Sequence, residues 1–420
     1  MDESQIAGVF QCLAPGVPLH PGDSRYVDLS SVRPEVAGPL AAELTGATGP
    51  ACRLLAGYRG TGKTTELYRL RTLLEAGPAP RRVSYCAISD YLDTTDIEAP
   101  DLLIALVQHL LAEVADAPAG GEAGALTTAV AELDRFIPRL ELTEVLFPPG
   151  RPRVCGSLKG NENARHLYRQ FLRPHLGEFA AAAGRVVAEV QQHFRRAGQG
   201  DLVLLVDHLD RLHRAETADG RSRTHERLFV EGAPFLRGLP CSVLFTMPPA
   251  LIHAPDVDWE HLYGAAPRYL SPVPPGACLS GEQDALGAVL EARLAAAGVD
   301  PVQLFAAPEL AARLCRASGG VLHTLLQLAQ RCVTFAERFP IPAETVQFVL
   351  GEVRDNYLTG LRKGAYRDAM RRVAATGTLP EGEGTQDLLD LLAVVEYRTG
   401  GPVRYGLSPT LADTPALATR

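Results

Sequence analysis

The sequence predicts an α/β protein built on a parallel sheet, followed by a helical region and a small mixed module at the C-terminus. Three observations carry this. Short unbroken apolar runs, "ACRLLAG", "DLVLLVDHLDRL" and "PCSVLFTMPP", have the look of strands buried on both faces. Stretches with helical spacing separate them, the alternation expected of a parallel sheet with crossover helices. Beyond "SPVPPGA" the helical patterns continue from 280 to 350 with no strand between them.

Taken in order, residues 1 to 50 are rich in turn formers until "PEVAGPLAAELTG", which predicts a helix leading into the strand at 51–57. After that strand, Leu67, Leu70 and Leu74 recur at helical spacing. "RRVSYCAISD" (81–90) predicts a second core strand, and "DLLIALVQHLLAEVA" (101–115) an amphipathic helix after it. Patterning weakens from 118 to 160, where "PAGGEAGA" and "FPPGRPRVCG" predict loops around a short helix. Residues 161–198 are mostly helical, with a break expected at Pro174, whose ring removes a backbone donor. Strands follow at 201–207 and 240–247. The α/β region ends near 275, and residues 352–420 predict a mixed terminal module.

"GYRGTGKTT", residues 57 to 65, stands between the first strand and its helix. From Gly57 through Gly62 and Lys63 to Thr64 it matches G-x-x-x-x-G-K-[ST], and strand, glycine loop, helix is the context that motif needs. Glycines at 57, 60 and 62 let successive N–H groups face one concavity, where the dipole of the following helix favours an anion. The chain has only three lysines (Lys63, Lys159, Lys363) among its 41 basic residues, so lysine at 63 points to a compact ammonium reaching β/γ-phosphate oxygens rather than a planar guanidinium.

In "LVLLVDHLD", Asp207 falls where a buried strand meets the carboxyl edge of the sheet, the edge on which α/β proteins bind ligands. It is placed to hold Mg2+ together with the hydroxyl of Thr64. Asp210 either positions the attacking water or caps the next helix and pairs with Arg211. His208 stands where many ATPases carry a second acid, which argues against fast hydrolysis. Thr246, at the end of the 240–247 strand, either senses the γ-phosphate or is a strand-end threonine. Arg59 lies in the loop and is expected on its outer surface, and His109 is expected in the core.

Composition narrows the classes. With 46% hydrophobic and 21% charged residues the chain is globular, and it lacks an apolar run long enough for a membrane span. "MDESQIAGVF" has no basic or long apolar segment, so a secretory signal is not expected and a cytoplasmic location is. Eight cysteines are scattered without C-x-x-C pairs or zinc spacing and are expected as reduced core residues. The net charge of −8 provides no global attraction to nucleic acid.

These residues together resemble a broad group of bacterial P-loop ATPases on the STAND and origin-recognition side of the AAA+ superfamily. The resemblance runs in order through most of the chain. "YVDLSSVRP" (26–34) is similar to the segment before the core, "GYRGTGKTTELYRL" to the loop, "LVLLVDHLDRL" to the acidic strand (also KAP-like), and "LFTMPP" to the sensor strand. "SGGVLHTLLQLAQ" (318–330) resembles the lid motif, with His323 and Thr324 where the group commonly has arginine and an acid, and "VEYRTGGPVRYGLSPTL" (395–411) resembles a winged-helix end. The resemblance implies an α/β P-loop NTPase core over 1–275 with a mostly helical insertion at about 118–198, a helical lid over 276–350 and a winged-helix-like module over 351–420. It implies ATP and Mg2+ as cofactors, with Gly57, Tyr58, Arg59, Gly60, Thr61, Gly62, Lys63, Thr64, Thr65 and His323 around the nucleotide. Lys63, Asp207, Asp210 and Thr246 would serve the chemistry, with Thr64 and Asp207 on the metal.

The function implied is an ATP-dependent switch that binds ATP and ADP, hydrolyses slowly and acts on a protein partner or effector, in regulation or in bacterial conflict and phage defence. Self-assembly is compatible with it; Arg165, Arg169 and Arg173 lie on an expected helix, but one chain assigns no arginine finger. Two alternatives remain open. One is an initiator-like DNA-binding ATPase using "RKGAYRDAMRR" (362–372), and the other is a nucleotide-locked scaffold that does not hydrolyse. No membrane partner is expected.

Overall fold

The structure is a computed structural model. It describes residues 1–46, 49–116, 123–136, 162–212, 223–254, 257–279, 283–361, 364–380, 385–399 and 401–412. Cys155, Lys159, Arg362, Lys363 and the loop segment at 147–156 lie outside the described residues. The described chain divides into two compact units, a sheet unit (37–56 and 70–268) and a helical unit (1–36, 57–69 and 269–420).

The sheet unit holds β1 (Cys52–Ala56), β2 (Arg82–Ala87), β3 (Leu202–Asp207) and β4 (Ser242–Met247). A two-residue strand β5 (Arg268–Tyr269) completes the order β2-β3-β4-β1-β5. The β1–β4, β2–β3 and β3–β4 pairs are parallel. Every residue of β3 is buried, as its unbroken apolar run demands when helices cover both faces of a sheet. β4 separates β1 from β3, and the register sets Leu55 opposite Thr246, Val206 opposite Phe245 and Ala87 opposite Asp207. The ends of β1, β3 and β4 therefore share one edge.

Helix α1 (Glu3–Cys12) opens the chain where the sequence suggested only turns. Its signal is a capping box in which Gln5 N donates to Asp2 Oδ1 at 2.8 Å and Asp2 N to Gln5 Oε1 at 3.1 Å. The helix before β1 is α2 (Ala37–Gly46), and α3 (Lys63–Glu75) follows the glycine loop. α4 (Ala99–Asp116), α5 (Ala123–Asp134), α6 (Glu162–Leu172) and α7 (Leu176–Arg196) belong to the sheet unit, where α7 packs on both α4 and α5. Pro174 lies in the single 3-10 turn Arg173–His175 that separates α6 from α7, the break its missing N–H imposes.

In the helical unit, α8 (Ala285–Ala296), α9 (Pro308–Ala317), α10 (Leu322–Phe335) and α11 (Ala343–Gly360) share a core built on Leu286, Leu290, Leu314, Leu325 and Val346, which Val9 and Leu13 of the N-terminal segment join. α12 (Gly364–Thr376), α13 (Thr385–Asp390) and an antiparallel hairpin, β6 (Val394–Tyr397) with β7 (Arg404–Leu407), close the chain. The seven described cysteines are unpaired, and five are buried. The expectation of core cysteines is corrected at two positions: Cys278 is exposed in the segment between β5 and the helix that starts at Ala285, and Cys12 is half-buried as the last residue of α1. Among the described residues no helix is long and apolar enough to cross a membrane.

Candidate nucleotide site

β1 ends at Ala56 and the loop begins at once, leaving the sheet from the edge where β3 and β4 end. Gly57 has no room for a side chain, since a Cβ would lie 2.9 Å from the Leu270 carbonyl oxygen. Gly60 adopts φ +88°, where glycine alone is unstrained, and a Cβ there would fall 2.3 Å from that of His323. α3 then starts at Lys63. Its ammonium is buried and donates to the carbonyls of Gly57 and Tyr58, both at 2.7 Å. These carbonyl oxygens occupy the ammonium as phosphate oxygens would.

Each other loop residue predicted at the nucleotide has a definite place. Tyr58 is buried, its ring edge-on to Tyr269 at 6.4 Å, and its phenol oxygen accepts the Glu396 N–H at 3.2 Å. Arg59 is exposed, as expected. Thr61 is fully buried and its hydroxyl donates to the Tyr58 carbonyl at 2.9 Å. Gly62 adopts φ +98°. Thr64 is half-buried at the start of α3, while the Thr65 hydroxyl oxygen accepts the Leu19 N–H at 3.2 Å. His323 donates its backbone N–H to the Gly60 carbonyl at 3.0 Å, which sets the first turn of α10 against the loop.

Sequence reasoning missed Arg33. It is buried, donates to the Thr61 carbonyl at 2.7 Å and pairs with Glu66 at 3.2 Å. Burial works against its charge and Glu66 opposes that effect, so the pair clamps the loop to α3. The hairpin was missed too. Besides the Glu396 contact, Tyr397 donates to the Gly319 carbonyl at 2.9 Å and Arg398 N to Ser271 Oγ at 3.0 Å, with the Arg398 guanidinium 4.6 Å from the centre of the Tyr269 ring.

In the sheet unit, Asp207 closes β3 and is 1% exposed. Its Oδ1 accepts the His208 N–H at 2.7 Å and its Oδ2 the Tyr85 hydroxyl at 2.9 Å, the latter from β2. His208 takes the left-handed conformation, φ 72°, uncommon for a residue with a side chain. Its Nδ1 lies 2.6 Å from Ser89 Oγ. Burial pulls the His208 imidazole below its usual range, against the pull of Asp207. Asp210 is half-buried in the 3-10 turn Leu209–Arg211. Thr246, fully buried, accepts the Leu209 N–H at 3.2 Å and so holds the start of that turn. One of its oxygen lone pairs is therefore committed to structure, and its hydroxyl proton still has a direction to choose.

Of the three arginines that the sequence sets near one another, Arg173 is exposed in the turn after α6, and the other two are engaged within the sheet unit. Arg165 is buried and pairs with Asp93 at 2.9 Å, while Arg169 bridges Asp96 at 2.5 Å and the fully buried Asp101. Both guanidiniums anchor α6 inside this chain and are not presented outward. His109, expected in the core, is half-buried in a polar network, with Nε2 2.9 Å from Ser84 Oγ and Nδ1 3.0 Å from the Tyr91 hydroxyl. In the basic helix, exposed Arg371 pairs with Asp368 at 3.4 Å. Among the described residues no cluster of three or more His, Cys, Asp and Glu is arranged to hold a metal.

No family model and no curated protein matches the chain. Among solved structures it is similar to the Walker-type ATPase PABY2304 of Pyrococcus abyssi, at 17% identity over 96% of this chain and 99% of that one, with a TM-score of 0.48. It is also similar to Cdc6p from Pyrobaculum aerophilum, at 14% identity over 93% and 97% of the two chains, with a TM-score of 0.40. At these identities and scores the site is read from its own residues.

Proposed function

We propose that this protein is an ATP-binding molecular switch that hydrolyses slowly and presents its nucleotide state to a protein partner. The observation that carries the reading is Lys63, a buried ammonium at the start of α3, held by the carbonyls of its own glycine loop directly after a parallel strand. A phosphate tail offers Lys63 stronger, charged acceptors than two carbonyls, and the N-terminus of α3 adds its dipole. By the chemistry of their oxygens, Thr64 at the start of α3 and Asp207 at the end of β3 are each candidates to hold magnesium. A lone hydroxyl and a lone carboxylate suit a hard cation that arrives with phosphate oxygens and keeps its waters, rather than one caged by protein. With both bound, the metal would neutralise charge at the β- and γ-phosphates.

Slow turnover follows from the residues after Asp207. His208, an imidazole where a second acid could stand, is engaged with Ser89, which leaves Asp210 as the carboxylate for ordering water. The switch rests on Tyr58. Its carbonyl accepts from Lys63 and its phenol oxygen from Glu396 of the hairpin, so one residue joins the ammonium to the C-terminal module. A partner that touches the hairpin has a route to the loop.

Nucleotide titration and phosphate release on the same preparations test this. Lys63→Ala should weaken ATP binding with or without metal. Asp207→Asn should weaken only magnesium-dependent binding. Asp210→Asn should keep affinity within a few-fold while hydrolysis falls by about 10²-fold, the scale of losing a general base. ATP affinity unchanged in Lys63→Ala would remove the basis of the proposal, and no phosphate release from the wild type would leave a nucleotide-locked scaffold.

A further inference from the structure

A second cleft lies within the helical unit, away from the glycine loop, with a volume of about 550 Å3. α9 contributes Arg313 and Arg316, one turn apart, and α11 contributes Gln347, Leu350, Gly351 and Arg354 along one stripe. Among the described residues no carboxylate lines it. Arg313 and Arg316 have no hydrogen-bond or ion-pair partner among the described residues, and Arg354 has only the edge of its guanidinium on exposed Asp355, Nε to Oδ1 at 3.2 Å. In a chain of net charge −8, three guanidiniums around one hollow with no acid among its described lining residues is a local reversal of sign.

Gly351 supplies the second observation. It sits in the middle of α11, where glycine is a poor choice, and a Cβ there would meet nothing within 4 Å. Packing does not require the glycine, and its absent side chain keeps the floor of the cleft open. Guanidiniums recognise phosphate by paired N–H donors, while Leu350 and the amide of Gln347 offer an apolar contact and a polar one for the rest of a molecule. The volume suits a small ligand, and the net negative charge of the chain disfavours long-range capture of a polyanion.

We infer that this cleft binds a small phosphate-bearing molecule, at a site separate from the glycine loop. It does not depend on the glycine loop's binding ATP. The test uses the full chain carrying Lys63→Ala, so that the loop is weakened, and inorganic pyrophosphate as the probe in calorimetric titration. Binding at a stoichiometry near one is expected, weakened about tenfold or more by Arg313→Gln with Arg316→Gln. Gly351→Leu, which fills the cleft while favouring the helix, should weaken it equally with an unchanged circular dichroism spectrum and melting temperature no lower than the parent's. Absence of pyrophosphate binding in the Lys63→Ala chain, or binding that neither cleft variant alters, overturns the inference. A parallel arm with duplex DNA across a salt series overturns it as well if the arginine variants reduce the salt slope of DNA binding and leave pyrophosphate unaffected.

Discussion

Tyr58→Phe isolates the link between loop and hairpin. The substitution keeps the ring and its edge-on contact with Tyr269, and removes only the oxygen that accepts the Glu396 N–H at 3.2 Å. Tyr58 is 2% exposed and Glu396 1%, so water cannot replace the lost acceptor without opening the structure. Leaving such a buried donor unpaired costs about 1–3 kcal/mol. If that cost falls on the hairpin, its local opening becomes about 5- to 150-fold more frequent. Amide hydrogen exchange on peptides covering β6 reads this directly, with and without ATP and magnesium. The wild type should show nucleotide-dependent protection of β6, because phosphate drawing Lys63 away from the Tyr58 carbonyl changes the load on the same residue. The variant should show faster exchange and a smaller nucleotide effect. Wild-type exchange rates in Tyr58→Phe, or β6 protection in the wild type that ignores nucleotide, would refute the coupling.

Gly60→Ala should destabilise the protein by about 2–3 kcal/mol in denaturant melts, from left-handed strain and loss of the His323–Gly60 bond, and adding His323→Gly should restore only the steric share. Arg33→Ala removes the donor to the Thr61 carbonyl and leaves buried Glu66 with Arg69 at 3.6 Å, and should cost about 3 kcal/mol, with Arg33→Lys recovering part because it restores charge without the fork. Burial lowers His225 from 6.5 to about 4, so the unfolded chain binds the proton more tightly. Its contribution is complete above pH 6.5 and is lost as pH falls toward 4. Relative to His225→Phe, the wild type should lose up to about 3 kcal/mol across that window in denaturant titrations.

The central strands were legible because they are apolar throughout: the runs at 51–57, 201–207 and 240–247 contain β1, β3 and β4. β5 was not, since two residues make no pattern, and α1 was hidden by the glycine and prolines that follow it, although Asp2 and Gln5 spelled its cap. The same split runs through the site. The glycine loop and Asp207 are local signals, a spacing and a strand end. Their supports are not: Arg33 meets Thr61 across 28 positions, Tyr85 meets Asp207 across 122, and Glu396 meets Tyr58 across 338. No local window reaches such partners, because tertiary packing alone selects them.

The distribution of cations follows from shape. Arg33 must satisfy a carbonyl and a carboxylate at once from one buried position, which a planar fork with several donors can do. Arg169 spans Asp96 and Asp101 in the same way, holding α6 to the start of α4. Lys63 has the opposite task. Its charge sits inside a loop narrow enough that two successive carbonyls reach it at 2.7 Å each, and in the proposed switch it changes acceptors. A compact ammonium on a flexible stem can exchange partners by turning, whereas a guanidinium would have to move its whole plane. Lys63 is the one lysine among the described residues, and its ammonium is buried.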